Sequence, residues 1–150
     1  MTFTPQDTDF RSRVADSFAR QEAMRTLGVS IESVEAGRVV LAMPHDGRLT
    51  QQHGFLHAGV VSAALDSACG YAAFSLMPVE AAVLTIEFKV NLLSPAKGET
   101  FLFKARVVKP GRTITVCEGE AFAVEDGKEK LIATMTGTLM AVIGREGVRQ

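Results

Sequence analysis

The chain has 150 residues, enough for one domain with one hydrophobic core, and 47% of its residues are hydrophobic while 22% are charged. This composition is typical of a globular protein and excludes a disordered or collagen-like chain. The formal net charge of −1 gives no electrostatic basis for binding nucleic acid or an anionic membrane surface.

The N-terminal residues and the two cysteines bear on the cellular compartment. Residues 1–18 are polar and charged, unlike a secretory signal peptide, and no apolar run reaches the roughly 20 residues that a membrane helix needs. Cys69 and Cys117 lie in separate apolar segments, which favours buried free thiols over a disulfide. We therefore expect a cytoplasmic protein. No CxxC, HExxH or Walker pattern occurs, so the sequence predicts no metal site.

The first predicted element is an amphipathic helix over residues 8–25. Its apolar residues lie near helical spacing: Phe10, Val14, Phe18 and Met24. Gly28 follows as the expected C-cap. Residues 1–28 are thus expected to form a helical extension at the start of a single domain that spans residues 1–150.

Residues 30–43 are predicted as a strand with a bulge or turn at Gly37, and residues 44–50 as a loop. From His57 to about Met77 the apolar pattern is helical, and Pro78 ends it. Four alternating segments joined by short turns are predicted as strands: 83–93, 100–108, 113–125 and 130–142. This order predicts an α+β fold, with one antiparallel sheet packed against a long hydrophobic helix.

The strand predicted over residues 83–93 shows the cleanest alternation. One face is expected to carry the apolar residues Leu84, Ile86, Phe88, Val90 and Leu92. The opposite face is expected to carry the polar residues Thr85, Glu87, Lys89 and Asn91. Such alternation is typical of a half-buried antiparallel strand.

A single carboxylate, Asp66, interrupts the predicted long helix. Its neighbours along the same helical stripe are all small: Gly59, Ser62 or Ala63, Cys69 or Gly70, and Ala73. A solvated helix face normally carries Lys, Glu or Gln, whereas small residues permit the close approach of a ligand or another backbone. We therefore expect Asp66 to face a tight crevice.

The start of this helix is suited to an acyl-transfer site. Gly54 and Gly59 keep side chains away from the first free N–H groups, and a carbonyl oxygen at the amide of Ala58 or Gly59 would be polarised there. Asp66 would supply the base or nucleophile, but it lies nine residues beyond His57, roughly 13 Å along a helix. A two-fold axis could bring two copies of the helix together, so the sequence predicts an obligate homodimer with two identical sites.

The segment from Gln51 to Asp66 resembles the signature of hotdog-fold thioesterases. It reads Gln51-Gln-His-Gly54-Phe-Leu-His57-Ala58-Gly59, followed by Asp66 nine positions after His57. The resemblance is greatest to the phenylacetate-degradation, or PaaI-like, branch and to the related 4-hydroxybenzoyl-CoA thioesterases. It spans about residues 30–142, and NLLSPAKGET at 91–100 resembles a strand-to-turn segment of the family.

The resemblance implies a hotdog fold, in which a long central helix is wrapped by a curved antiparallel sheet, here with an extra N-terminal helix. It implies homodimers with one continuous sheet and sites between subunits, and homotetramers made of two dimers. The implied reaction is hydrolysis of an acyl-CoA substrate to the free acid and coenzyme A. It requires no metal or redox cofactor, and we expect no nucleic-acid or membrane partner.

The resemblance also implies roles for individual residues. Asp66 matches the catalytic carboxylate, acting as general base or nucleophile, and the N–H of Ala58 would polarise the carbonyl although the family usually has glycine there. Gln51, in place of the commoner Asn, matches the amide that orients water or substrate. His57 would shape the helix start, and the hydroxyl of Thr85 would help to hold the attacking water. The expected substrate contacts are Gly59, Phe55 and Leu56.

Several alternatives stay open at this point. Asp66 and His57 from two subunits could act on a Cα–Cβ bond, as in a hotdog-fold enoyl-CoA hydratase or dehydratase, or the site could bind acyl-CoA without turnover. His57 and Gln51 could be hydrogen-bonding residues at the helix entry, and Thr85 an ordinary strand residue. The acyl group could be aryl, arylacetyl or medium-chain. Several basic residues could contact the coenzyme A phosphates: Lys89, Lys97, Arg106, Lys109 and Arg112.

Overall fold

A curved six-stranded antiparallel sheet and one long helix make up most of the structure, a computed structural model that describes all residues, 1–150. The elements follow in chain order: α1 (Phe10–Ala19), α2 (Glu22–Leu27), β1 (Ser30–Glu35), β2 (Arg38–Pro44), α3 (Ala58–Phe74), β3 (Ala81–Leu92), β4 (Thr100–Lys109), β5 (Ile114–Glu125) and β6 (Lys128–Ile143). The strand order is β1-β2-β4-β5-β6-β3, so β1 and β3 are the two edges. The predicted α+β class is confirmed.

The side of the sheet that faces α3 carries the alternating apolar residues of the four inner strands. These side chains are at most 5% exposed: Val39, Leu41, Met43, Phe101, Phe103, Ala105, Cys117, Ala121, Met135 and Leu139. The alternation predicted for β4, β5 and β6 is therefore confirmed. Burying each large apolar side chain contributes about 1.5–3 kcal/mol, so this layer holds α3 firmly against the sheet.

Small residues allow α3 to lie close to the sheet. Ala68 and Ala72 are fully buried, and a Cβ added at Gly119 of β5 would lie 3.1 Å from Sγ of Cys69. Cys69 and Cys117 are buried free thiols, and Sγ of Cys117 lies 3.5 Å from the carbonyl oxygen of Cys69. Burial raises the pKa of Cys117 to about 12, and it also raises the pKa of Cys69.

The single helix predicted over residues 8–25 is wrong, because the chain forms α1 and α2 with a break at Arg20 and Gln21. The backbone of Gln21 is extended, with φ −83° and ψ 93°. The spacing of the apolar residues explains this break. Met24 lies ten positions after Val14, which would place it about 80° away around a continuous helix. Interrupting the helix allows both side chains to be buried.

Arg13 attaches the N-terminal helices to the end of α3. Its guanidinium donates hydrogen bonds to the carbonyl oxygens of Phe74 (3.3 Å), Met77 (2.7 Å) and Pro78 (2.6 Å). It also lies 4.3 Å from the centre of the Phe74 ring and forms an ion pair of 3.0 Å with Asp7. Carbonyls near a helix C-terminus lack intrahelical partners, and this arginine donates to three of them, two of which (Phe74 and Pro78) also accept a backbone N–H.

The strand predicted over residues 30–43 is a hairpin of two strands, β1 and β2, joined by a turn at Ala36 and Gly37. Gly37 has φ +75°, a left-handed conformation that glycine adopts without strain, so the turn alternative is correct. The predicted C-cap at Gly28 is confirmed. The loop that follows β2 contains a short 3-10 helix, Gly47–Leu49.

The helix predicted from His57 to Met77 corresponds to α3. Its regular part ends at Phe74 and continues as turns up to Pro78. None of the helices combines the length and the apolar character that crossing a membrane requires.

Strand β3 departs from the predicted alternation. Four of the apolar side chains expected on its buried face are exposed: Leu84 (40%), Ile86 (51%), Phe88 (43%) and Leu92 (56%). One reason is that β3 is an edge strand paired only with β6, and another is a register shift, a β-bulge, between Thr85 and Glu87. Thr85, Phe88 and Val90 each pair with a residue of β6 that faces α3, so all three lie on the α3 side of β3. Strict alternation would place Thr85 and Phe88 on opposite sides, so the bulge is what moves Thr85 to the helix side.

Candidate functional site

Asp66 lies in the middle of α3 and is held by one hydrogen bond from the sheet. Thr85 Oγ1 donates to Asp66 Oδ1 at 2.7 Å. The bulge in β3 is what directs the Thr85 side chain toward the helix, because strict alternation would have placed it on the opposite side. The Oδ2 atom of Asp66 accepts no hydrogen bond from the chain, so it is free to act on a ligand.

The surroundings of Asp66 favour its protonated form. Burial raises the pKa of Asp66, since removal of water disfavours the carboxylate, and the Thr85 hydrogen bond opposes part of this effect. A carboxyl group with a raised pKa is a stronger base when ionised than an exposed one. An acid whose pKa is shifted by burial in a cleft is a candidate for a functional residue.

A small cavity of about 90 Å³ adjoins Asp66 and Thr85. Its remaining lining comes from the break between α1 and α2, from α3, from β3 and from the C-terminal residues: Gln21, Ser67, Gly70, Tyr71, Val83 and Gln150. The sequence pattern indicated the crevice at Asp66 but gave no role to Gln21 or Ser67. The only local signal for Gln21 is the shift in apolar spacing that breaks the first helix.

The start of α3 presents one free backbone donor. His57 is the N-cap, with φ −62° and ψ 137°, and its Nδ1 accepts a 2.9 Å hydrogen bond from the N–H of Gly59. The N–H of Ala58 makes no hydrogen bond within the chain. Of the two amides predicted to polarise a carbonyl, Gly59 is therefore occupied and Ala58 is available.

The loop before α3 is held by its own hydrogen bonds. The N–H of Gln51 donates to the carbonyl of Phe55 at 2.8 Å, and the N–H of His53 donates to Oε1 of Gln51. The N–H of Leu56 donates to the carbonyl of Ala96 at 3.1 Å, which ties this loop to the segment after β3. Gln51 thus orders the helix entry and keeps its side-chain NH₂ group without a partner in the chain.

A larger cavity of about 520 Å³ lies at the start of α3. Its lining includes predicted site residues: Gln51, Phe55, Leu56, His57 and Ala58. The opposite wall consists of the segment from Leu92 to Ala96 together with Ile132 and Ala133. Gly59 does not line this cavity, and Leu56 is 4% exposed, so its side chain serves the core as well as the cavity wall.

The structure places the predicted site residues in two separate groups. Asp66 and Thr85 line the small cavity, while Ala58, Gln51 and His57 line the large one, and no residue lines both. Ala58 and Asp66 are eight residues apart on α3, about 12 Å along the helix axis. One copy of the chain therefore does not bring the free N–H of Ala58 and the carboxylate of Asp66 to the same small group.

The basic residues considered for coenzyme A phosphates are spread over the structure. Arg106 forms an ion pair with Glu118, and Lys89 pairs across β3 and β6 with Thr136, on the side away from α3. Lys97 directly follows the lining of the large cavity. The other two lie at the turn between β4 and β5: Lys109 and Arg112. No cluster of three or more His, Cys, Asp and Glu side chains could hold a metal ion.

Known proteins resemble this chain in sequence and in fold. Residues 53–130 match the family model of the thioesterase superfamily. A thioesterase family protein from Silicibacter pomeroyi, known from its crystal structure, is 66% identical in sequence to this chain. The two structures superpose with a TM-score of 0.89, and the match covers 90% of this chain and 99% of that one. A Saccharolobus solfataricus protein named "Putative esterase" is 34% identical over 127 residues, which are 85% of this chain and 82% of that protein.

A more distant relative has a named substrate. The 1,4-dihydroxy-2-naphthoyl-CoA hydrolase of Listeria monocytogenes is 25% identical over 114 residues, which are 76% of this chain and 90% of that enzyme. Together these matches confirm the resemblance seen in the motif from Gln51 to Asp66. The chain has the hotdog fold and belongs to the thioesterase superfamily.

Proposed function

We propose that this protein hydrolyses acyl-CoA thioesters at a site shared by two copies of the chain. Asp66 of one copy and the N–H of Ala58 of the other act on the same carbonyl group. The observation that carries this proposal is the separation of the two groups, which lie in different cavities about 12 Å apart on one helix. The coenzyme A thioester named as the substrate of the Listeria relative supports the choice of acyl carrier.

The free edge of the sheet supports a paired assembly. Strand β3 has 12 residues, pairs only with β6, and exposes four large apolar side chains. A long apolar edge strand of this kind invites pairing with another chain, and a two-fold axis then extends the sheet across both copies. The early part of α3 is also only partly covered, along the stripe through Gly59, Ser62 and Asp66. Further pairing of two such dimers into a tetramer is consistent with this proposal.

In the proposed reaction, Oδ2 of Asp66 accepts a proton from a water molecule while the water oxygen attacks the thioester carbonyl carbon. Thr85 holds the carboxylate and can accept a hydrogen bond from the same water. The negative charge that develops on the carbonyl oxygen is stabilised by the N–H of Ala58 at the helix N-terminus. The C–S bond then breaks, the coenzyme A thiolate leaves and takes up the proton held by Asp66, and the free acid remains while Asp66 returns to its ionised form. No metal or redox cofactor takes part.

The position of His57 favours hydrolysis over hydration of a double bond. Its Nδ1 atom accepts the hydrogen bond that caps α3, so one ring nitrogen already has a structural role. This capping role explains why a histidine is present at position 57 without requiring it to transfer protons.

Two variants together test both the activity and the shared site. Asp66→Asn removes the base, and Ala58→Pro removes the N–H at the first position of the helix, where proline is tolerated. The backbone of His57 already has the extended conformation that a residue before proline requires. Ala58→Gly keeps the N–H and serves as the control for Ala58→Pro.

The two variants are co-expressed with different tags, and the mixed dimer is purified and assayed for release of coenzyme A. Each homodimer should be inactive, whereas the mixed dimer has one intact site of two and should show about half of wild-type activity. An inactive mixed dimer would place the whole site within one chain. No thiol release by the wild-type protein from acetyl-, octanoyl- or phenylacetyl-CoA would overturn the proposed hydrolysis itself.

A further inference from the structure

The small cavity beside Asp66 has further polar lining residues, besides Asp66 and Thr85, that the hydrolysis mechanism does not use. Of the eight residues around it, only Tyr71 and Val83 are hydrophobic. The hydroxyl of Tyr71 is itself hydrogen-bonded to Ser17 Oγ at 3.0 Å. An alkyl chain placed in such a cavity would displace water from polar groups without replacing its hydrogen bonds. The lining therefore suits a group that can form hydrogen bonds.

Gln21 and Ser67 offer a matched donor and acceptor to such a group. Ser67 Oγ donates a 3.0 Å hydrogen bond to Oε1 of Gln21, and the NH₂ group of Gln21 donates to no atom of the chain. The hydroxyl of Ser67 has used its proton but can still accept a hydrogen bond. A ligand hydroxyl could accept from Gln21 and donate to Ser67 at the same time, whereas a methyl group could do neither.

Gly70 leaves the space for this group open. It is buried in the interior of α3, where glycine is less favourable than alanine, and it lies one turn after Asp66 on the wall of the cavity. A Cβ added at Gly70 would meet no atom within 4 Å. Packing therefore does not require glycine at this position, and a side chain there would project into open space.

The size and charge of the cavity limit what it can hold. Its volume of about 90 Å³ is smaller than the roughly 150 Å³ cavity that accommodates benzene, and corresponds to about three to four non-hydrogen atoms. No lysine or arginine lines it, and the Asp66 carboxylate would repel a second negative charge. An acyl group that ends in a carboxylate is therefore disfavoured here, and an aromatic ring exceeds the space that one chain encloses.

We propose that this cavity binds the distal end of a short, neutral acyl group that carries a hydroxyl, with Gln21 and Ser67 recognising the hydroxyl and Gly70 providing the room. This inference rests on the proposed function, because it assigns the acyl group of the substrate to the cavity next to Asp66. A 3-hydroxyacyl group of four carbons fits the volume and the polarity. Gln21 and Gly70 then determine specificity.

The test compares acetyl-, butyryl-, 3-hydroxybutyryl- and phenylacetyl-CoA as substrates of the full chain. We expect kcat/KM for 3-hydroxybutyryl-CoA to exceed that for butyryl-CoA about tenfold and to exceed that for phenylacetyl-CoA by more. Gln21→Leu should bring the ratio of kcat/KM for the two four-carbon substrates close to one. Gly70→Ala should lower kcat/KM for both four-carbon substrates about tenfold relative to that for acetyl-CoA.

Gly47→Ala is the matched control for Gly70→Ala, because a Cβ there also meets open space and Gly47 lies outside both cavities. Gly47→Ala should leave the ratios of kcat/KM among the four substrates unchanged. Gly70→Ala adds a helix-favouring residue without a clash, so this variant keeps the proposal testable even if Gln21→Leu does not fold. Equal use of butyryl- and 3-hydroxybutyryl-CoA by the wild type, or an unchanged ratio in Gln21→Leu, overturns the proposal.

A binding measurement separates this proposal from the proposed function. In the Asp66→Asn background, calorimetry should show that 3-hydroxybutyryl-CoA binds about tenfold more tightly than butyryl-CoA, and that adding Gln21→Leu removes the difference. If the wild type hydrolyses acetyl-CoA but shows no such preference, the hydroxyl site is wrong and the hydrolase stands. If no thioester is hydrolysed while the Gln21-dependent preference in binding persists, the hydroxyl site stands and the hydrolase is wrong.

Discussion

Thr85 and Asp66 are joined by a 2.7 Å hydrogen bond that connects an edge strand of the sheet to the middle of its central helix. The bond depends on the bulge in β3, because only after that shift does the threonine point toward α3. It fixes one carboxylate oxygen and leaves the other free. The chemistry proposed for Asp66 therefore depends on the local geometry of a strand 19 residues further along the chain.

Replacing Thr85 with valine should lower activity and shift its pH dependence. The isosteric change keeps the β-branched shape but removes the hydroxyl that favours the ionised carboxylate, so the pKa of Asp66 should rise further. We expect kcat/KM to fall about tenfold and the acid limb of the pH–rate profile to move to higher pH. Thr85→Ser keeps the hydroxyl and should restore both quantities. A profile unchanged in Thr85→Val would show that this hydrogen bond has no role in catalysis.

Asp66→Asn should stabilise the protein at neutral pH while abolishing turnover. Because burial raises the pKa of Asp66 in the folded state, the folded protein binds a proton more tightly than the unfolded chain does. Its stability therefore falls as the pH rises from about 3.9, the usual aspartate value, through the folded-state pKa. The amide does not titrate and can still accept the hydrogen bond from Thr85, so it avoids this loss.

Thermal unfolding of both proteins from pH 3.5 to pH 8 checks this expectation. The difference in Tm should be small at the acid end and should reach a plateau, in favour of Asp66→Asn, above the folded-state pKa. A constant difference over the whole range would contradict the raised pKa.

His57→Ala should destabilise the protein through loss of the helix cap. Removing an N-cap side chain costs about 1 kcal/mol of folding free energy, and activity should fall as well because the cap fixes the start of α3. Asparagine is a good N-cap residue but does not transfer protons near neutral pH, so His57→Asn should retain most of the stability and activity. Denaturant unfolding and thiol-release assays measure the two effects. If His57→Asn keeps full stability but loses all activity, His57 takes part in the chemistry.

A charge on the free edge of β3 should separate the copies of the chain. Ile86 is 51% exposed at the bulge, and Ile86→Lys would place an ammonium group on the edge that we propose pairs with a partner strand. Light scattering should then report single chains, with activity lost and the far-ultraviolet circular dichroism unchanged. Val108→Lys introduces the same charge at an exposed apolar residue of β4 and should remain assembled and active. An active monomeric Ile86→Lys protein would contradict the shared site.

The features that could be predicted from sequence are those encoded by local spacing. The alternation in β4 to β6 and the long apolar helix identified the fold class, and the nine residues from His57 to Asp66 predicted that the helix start and the carboxylate lie far apart on one chain. The capping hydrogen bond of His57 is also local, since its acceptor and donor are two residues apart.

The features that escaped prediction depend on tertiary contacts. The local sequence Thr85-Ile86-Glu87 contains no signal for the bulge, which forms because of how β3 pairs with β6. The hydrogen bond between Gln21 and Ser67 joins residues 46 positions apart, and no periodicity relates them. The break at Gln21 does leave a trace in the spacing of Val14 and Met24, but an approximate helical pattern conceals it.

The burial of Cys69 and Cys117 has a practical benefit for all the assays above. Both side chains are 0% exposed and their raised pKa values keep the thiols protonated, whereas disulfide-based dyes react with accessible thiolates. When such a dye is added to the folded protein, it should therefore react only with the thiol of the coenzyme A that hydrolysis releases. The native chain can be assayed continuously without removing either cysteine, and slow dye uptake in the absence of substrate would itself report opening of the core.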